Sequence, residues 1–425
     1  MKPKFSVIIP TYNRSPYLRH TLESCRRQTY EHVEFIIRDD ASEDGTGALV
    51  SEFMAADPRF RYVASARNTG MLENFESALV EADGDYVLCL GGDDGLVTDA
   101  LASLSMLVLD FPGRVITWPT GAYIYAGARG RESQLVIPHL AIGPTRHQII
   151  SSANFFERQV ANLFYVSDPQ APMLYVKSAV PRLLLEKAKR ASGGKFFACS
   201  TPDGYSAFAV AAISDSYVYI TKPHSIHGVA PNSAGLNYVQ GQGDEKDLST
   251  RFFQHANSVP MSKALGSLPY SPLISLMTAD FIFKSDEIFG HGFGRRVSMK
   301  RLIDRSLDEL CDGLMSKEKL LRELNIVSRL ADYLELRKFF VEAASKKYRN
   351  SRQALVGDAI SPRLVYLRSD RLGIRSVTDA ADYLSGGRVR IRPYLNLSWP
   401  HAIYNSSRYY LQERCRLERL YDLIP

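Results

Sequence analysis

The chain has 425 residues, 45% of them hydrophobic, and a formal net charge of only +6. That length accommodates two domains with filled cores, and composition alone gives no support to a nucleic-acid-binding role. The charge is uneven, about −2 over residues 1–240 and about +8 over residues 241–425, so an anionic partner is expected for the C-terminal part, if its basic surface is more than a solvated face. The five cysteines are scattered without a CxxC pair, which argues against a zinc site or a disulfide framework and for a reducing compartment. The apolar run before Pro10 is too short for a secretory signal, and no stretch of about 18 apolar residues offers a membrane span. The nearest candidate, residues 265–283, is broken by Pro269 and Pro272 and carries Asp280. A cytoplasmic protein is expected, with peripheral contact at the inner membrane face compatible with the basic C-terminal part.

In chain order, the first elements alternate. FSVIIP (5–10) is a short β-branched strand, and TYNRS leads into a helix with Leu18, Leu22 and Cys25 on one face. VEFIIRDD (33–40) is a second strand ending in carboxylates, followed by a turn and a helix. FRYVAS (60–65) is a third strand. A helix carrying Leu72, Phe75, Ala78 and Leu79 precedes a fourth strand, Tyr86–Leu90. This rhythm predicts an α/β domain with a mostly parallel central sheet covered by helices on both faces. Ligands of such sheets sit at the carboxyl ends of the strands. Those ends carry Thr11-Tyr12-Asn13-Arg14, Asp39-Asp40, Arg67-Asn68 and, after Gly91-Gly92, the pair Asp93-Asp94. One acidic pair after a strand is usually a cap or turn. Two pairs at one sheet edge call for a cation or a hydrogen-bonding ligand.

Further along, 115–127 and PMLYVKS (172–178) read as strands, LLLEKAKRA and 205–212 as helices, and YVYITKP as another strand. Beyond Asp244 helical spacing dominates, notably through 300–344. A domain boundary falls in GLNYVQGQGDEKD (235–247), dividing the chain into 1–240 and a mainly helical, basic 241–425. Within the latter, Arg388, Arg390 and Arg392 alternate as on one strand face, and Arg408, Arg414, Arg416 and Arg419 fall in a final helix. Acceptor, membrane or oligomer contacts are the roles expected of this part.

FSVIIPTYNR, EFIIRDDASEDGT, ARNTG and GDYVLCLGGDDGLVTDAL, in that order, resemble the motifs of family 2 glycosyltransferases, strongly over residues 4–104 and more weakly to about 235. The resemblance implies the GT-A fold and transfer of a sugar, with inversion, from a nucleotide-diphosphate donor to an acceptor hydroxyl. It places Pro10, Thr11 and Asp40 at the nucleotide base, where a carboxylate suits the imide N–H of uracil and favours a UDP-sugar. Arg67 is placed at base or phosphate, Asp93 at the ribose, and Asp94 on a Mg2+ or Mn2+ ion; His227, in ITKPHSIHGVAPNSAG, is a candidate for the ion or for the diphosphate. Asn13 is assigned to the nucleotide site or, alternatively, to the turn alone. Many relatives carry an acid where this chain has Gly91, so one expected carboxylate is missing.

An acidic residue opening a downstream helix serves as general base in the family, and Asp203 in STPDG occupies that place. Asp168 and Asp215 are its rivals. Trp118 is a candidate sugar platform or a core aromatic, and His224 a weaker metal candidate than His227. The expected product is a bacterial surface polysaccharide built on a glycan or lipid-linked glycan acceptor, with a homo-oligomer compatible and no nucleic-acid partner. A silent nucleotide-sugar-binding or scaffold protein is the non-enzyme alternative. A sugar nucleotidyltransferase would need a Gly-rich phosphate loop with Arg and Lys, which TYNRSPY is not.

Overall fold

Strand β1 (Phe5–Thr11) is buried along its whole length in the computed structural model, which describes residues 2–128, 132–142, 144–231, 254–312, 315–350, 359–360, 364–385 and 416–424. Its alternate residues feed different cores: Ile8 packs into one cluster, Val7 and Ile9 into another. That is the burial of a strand covered on both faces. Next come α1 (Ser15–Arg26), β2 (Val33–Asp39), α2 (Thr46–Ala56), β3 (Phe60–Ala64), α3 (Met71–Val80) and β4 (Tyr86–Cys89). β1 lies between β2 and β4, parallel to both, and β3 is parallel to β2. α1 starts with a proline in its first turn and buries Leu18, Leu22 and Cys25, the stripe predicted from their spacing.

The next segments are β5 (Gly95–Leu96), α4 (Ala100–Asp110), β6 (Ile116–Thr117), β7 (Gly121–Ile124), β8 (Gln134–Pro138), β9 (His147–Ser151) and α5 (Ser152–Asn162). They lead to β10 (Ser178–Pro181), α6 (Arg182–Ala191), α7 (Pro202–Ile213), β11 (Ser216–Ile220) and β12 (Ser225–Val229). The main sheet runs β3-β2-β1-β4-β10-β6-β11-β9. The single strand expected over 115–127 is instead two. β6 belongs to the main sheet and β7 to a second one, because Pro119 offers no backbone donor to continue the ladder. PMLYVKS is likewise not a strand. Tyr175 is extended but Val176 sits at φ 65, left-handed and strained for a β-branched residue, so β10 begins only at Ser178.

The C-terminal part is largely helical, as expected: α8 (Ile274–Phe289), α9 (Met299–Leu310), α10 (Lys317–Tyr333) and α11 (Arg337–Ala344). The long tract after residue 300 is cut by capping chemistry. The Ser298 and Ser316 hydroxyls each accept a first-turn backbone N–H. The chain then forms β13 (Tyr348–Asn350), β14 (Ala359–Ile360), β15 (Leu364–Arg368), α12 (Val377–Ser385) and β16 (Arg416–Arg419). Arg416 and Arg419 thus lie in a strand paired with β13, not in the expected helix. Arg388, Arg390, Arg392, Arg408, Arg414 and the 235–247 boundary lie outside the described residues.

β15 returns to pair antiparallel with β8, so the second sheet runs β14-β15-β8-β7-β12-β5. α12 packs against α1, where the Thr378 hydroxyl donates to the His20 carbonyl at 2.8 Å. Among the described residues no helix is long and apolar enough to cross a membrane.

Candidate functional site

The carboxyl ends of β1, β2 and β4 open into one cleft of about 180 Å³, lined by Pro10, Thr11, Arg14, Asp40, Asn68, Gly70, Gly91, Gly92, Asp93 and Tyr175, among others. Parallel pairing places these strand ends side by side. Thr11 lends a buried hydroxyl without a hydrogen-bond partner. Asp40 is almost fully engaged: Oδ1 accepts from the Thr69 backbone N–H and hydroxyl at 2.8 and 2.7 Å, and Oδ2 accepts from the Gly70 N–H at 2.8 Å. A carboxylate has about four acceptor positions, so Oδ2 retains one for a ligand donor.

Not every expected residue reaches this cleft. Asn13 adopts φ 49, a conformation asparagine tolerates, and its Oδ1 accepts from the Glu43 N–H at 2.9 Å. It staples the β1 turn to the loop after β2, and Arg14 lines the cleft instead. Arg67 is exposed and outside the lining, which takes Asn68 from the same loop. Trp118 is buried core, donating from Nε1 to the Ser225 hydroxyl at 2.7 Å, so it presents no sugar platform. His224 is buried between Ser103 and the Lys222 carbonyl. Burial lowers its pKa to about 4, leaving it neutral and structural.

Asp94 is the most enclosed acid of the group, with no exposed surface. Its Oδ2 accepts from the Gly91 N–H at 2.6 Å, and its Oδ1 from the Gly228 N–H at 2.8 Å and from His227 Nδ1 at 3.0 Å. β12 brings both partners, and Gly228 is obligatory: a Cβ there would overlap the carbonyl of Asp93. Asp93 faces Arg14 at 3.5 Å. Burial pushes its carboxyl upward, Arg14 opposes this, and neighbouring Asp94 adds to it.

The missing acid at Gly91 has a steric explanation. A Cβ at Gly91 would collide with the Tyr175 hydroxyl, and the Asp94 carboxylate stands beside it. A neutral donor therefore occupies the space where a second carboxylate would stand. Burial, then Asp94 and Asp93, hold the Tyr175 phenol well above its ordinary value, so it stays a donor. Nothing in the apolar stretch PMLYVKS signals this role, because it depends on the left-handed Val176. Gly91→Asp is expected to place an unpaired carboxylate against Tyr175 and Asp94, lowering the melting temperature by the equivalent of ~1–3 kcal/mol. Thermal denaturation checks this, and adding Tyr175→Ala should recover part of the loss.

Asp203 lies in the first turn of α7. Its Oδ1 is buried without a hydrogen-bond partner. Burial raises its pKa first, with the field of His227 lowering and that of Asp94 raising it. Asp203 is thus electrostatically coupled to the Asp94–His227 pair. Of its rivals, Asp168 is tied to Arg158 and Gln159, and Asp215 follows the opposite end of α7.

Among the described residues no three His, Cys, Asp or Glu side chains converge as a metal-binding group. The pair Asp94–His227 nonetheless fits a hard cation that takes one or two protein donors and completes its shell with phosphate oxygens and water. An imidazole nitrogen and a carboxylate oxygen already stand 3.0 Å apart.

The described residues thus form a mixed α/β sheet with an acidic cleft at the ends of its parallel strands and an acid, Asp203, in the first turn of a downstream helix. Residues 6–153 match the model of Glycosyl transferase family 2, and this part of the chain is a family 2 glycosyltransferase domain. The chain is 35% identical over 103 residues to the GalNAc(5)-diNAcBac-PP-undecaprenol beta-1,3-glucosyltransferase of Campylobacter jejuni, covering 24% of this chain and 33% of that protein. It is 38% identical over 100 residues to the putative teichuronic acid biosynthesis glycosyltransferase TuaG of Bacillus subtilis, covering 24% and 40%. The chain therefore spans well under two thirds of these relatives. Among solved structures, S. aureus TarS 1–349 with UDP-GlcNAc aligns at TM-score 0.45 and 15% identity, over 82% of this chain and 97% of that one.

Proposed function

We propose that this protein transfers a sugar, with inversion, from a nucleotide-diphosphate donor, preferably a UDP-sugar, to an acceptor hydroxyl in the synthesis of a bacterial surface polysaccharide. The observation that supports the reading is Asp93 in the cleft wall, the Asp94–His227 pair next to it in the chain fold, and Asp203, a buried carboxylate whose Oδ1 lacks a partner and which feels the charge of that pair. The free acceptor position on Asp40 Oδ2 suits the imide N–H of uracil, and Thr11 and Arg14 line the same cleft. Asp93 receives the ribose or the sugar.

As the anomeric carbon–oxygen bond to the diphosphate breaks, Asp203 takes the proton of the acceptor hydroxyl, whose oxygen forms the new glycosidic bond. A Mg2+ or Mn2+ ion held by Asp94 and His227 would neutralise charge on the departing diphosphate. Tyr175 and the Gly91 and Gly228 N–H groups hold Asp94 in place. The names of the C. jejuni and B. subtilis relatives support a cell-surface glycan, lipid-linked or free, as acceptor. Catalysis on the cytoplasmic side, with the basic 241–425 part contributing acceptor, membrane or oligomer contacts, fits the charge asymmetry.

A panel of UDP-, GDP- and dTDP-sugars incubated with Mn2+ tests the reading. Hydrolysis or transfer from UDP-sugars is the expected result. Nucleotide binding by calorimetry without turnover on any donor would instead identify a silent nucleotide-sugar-binding protein.

A further inference from the structure

The three residues Tyr175–Lys177 separate two hollows. Tyr175 lines the acidic cleft, whereas Lys177, beyond the left-handed Val176, lines a second cavity of about 730 Å³. Pro119 and Thr120, His139, and Arg158 and Gln159 of α5 contribute to its wall. The two hollows share one edge of the main sheet. β10 is antiparallel to both β4 and β6, so β4 and β6 point the same way, and residues 91–94 and 119–120 leave the sheet on the same side.

The charges in this second cavity do not balance. Among the described residues Asp168 is its only carboxylate, and Oδ2 of that group already accepts from Arg158 Nε at 3.0 Å and Gln159 Nε2 at 2.8 Å, with Oδ1 accepting from the Gln170 N–H at 2.9 Å. Lys177 is 8% exposed, and its Nζ donates to the Asp168 backbone carbonyl at 3.2 Å. No carboxylate among the described residues forms an ion pair with it. Gln159, 1% exposed, keeps a buried Oε1 without a partner. A buried ammonium without a counter-ion is costly, and an anionic ligand relieves that cost.

We propose that this second cavity is the acceptor subsite and that it holds an anionic oxygen group of the glycan, a carboxylate or a phosphate, with Lys177 as its counter-ion. The word acceptor rests on the glycosyltransferase reading above; the anion site itself does not. Arg158 shares its charge with Asp168, so Lys177 supplies the attraction and Gln159 remains available to orient a hydroxyl. Desolvation brings the Lys177 pKa to about 8. Affinity for the anion therefore falls as pH rises through about 8, with Asp168 opposing and Arg158 and His139 the other polar groups facing the cavity.

The test is calorimetric titration of the full chain with methyl glucuronide and with glycerol phosphate, each against its neutral counterpart, methyl glucoside or glycerol. One or both anions should bind wild type at least tenfold more tightly than the neutral partner, which also tells carboxylate from phosphate. Lys177→Gln and Lys177→Met should each lose that preference, while Asp40→Asn should retain it, as should wild type saturated with UDP. Equal binding of charged and neutral probes, undiminished binding by both Lys177 variants, competition by UDP, or no binding of either anion overturns the proposal. Because the wild-type comparison needs no variant, misfolding of a substitution cannot mask the outcome. UDP binding is titrated separately, so a protein that binds UDP but neither anion refutes this subsite and leaves the donor reading standing.

Discussion

Asp94→Ala is expected to reduce sugar transfer on the order of 10³-fold, the scale of removing a preorganised group that governs charge at the departing oxygen. The loss should exceed the simple removal of one cation ligand. Asp94 also gathers Gly91, Gly228, His227 and Tyr175 around one carboxylate, and without it the buried Gly91 and Gly228 N–H groups lose their acceptor. Steady-state transfer from the best donor of the panel, with and without chelator, measures this. Asp94→Asn should also be inactive while melting closer to wild type, since it preserves the shape of the site. Full activity of either variant, or indifference of wild type to chelator, would remove the cation role.

Asp203→Asn is expected to lower transfer by ~10²–10⁴-fold, the usual contribution of a general base, while UDP binding by calorimetry is unchanged. Stability should move the other way. A carboxylate whose pKa is raised on folding contributes fully below its unfolded value of 3.8, and that contribution is lost as pH rises through the raised folded value. Above pH 3.8 burial of this acid therefore opposes folding, and at pH 7 the amide variant should melt at higher temperature than wild type, with the difference shrinking below pH 4. The pH–rate profile of wild type should rise through the same raised pKa as the base ionises. A variant that kept normal turnover would place the base elsewhere.

The N-terminal half of this picture was legible from residue order because parallel strands write themselves plainly. Unbroken apolar runs ended by polar residues located the ends of β1, β2 and β4, and topology alone then brought Asp40, Asp93 and Asp94 to one edge. Asp203 was singled out by the family resemblance, as an acid opening a helix, and it does stand in the first turn of α7. What escaped were features set by single backbone angles. Val176 at φ 65 turns what looked like a strand into a hinge that sends Tyr175 to one hollow and Lys177 to another. Asn13 at φ 49 spends its side chain on a loop rather than a ligand. Pro119 moves the chain between sheets. His255, which also lines the cleft, comes from a part of the chain with no local motif.

The return of β15 and α12 to the N-terminal half has a consequence for synthesis. β8 lies beside β7 on one side and depends on β15 for its other neighbour, and the hydrogen bond from Thr378 to His20 joins residues 358 positions apart. Such distant pairing forms late and slowly. Until residues past 364 leave the ribosome, the outer edge of β8 is an open template for strands of other molecules. Cutting the chain before β15 would make that transient exposure permanent. A shortened protein ending at residue 345 should therefore aggregate even though every element of the acidic cleft is encoded within it.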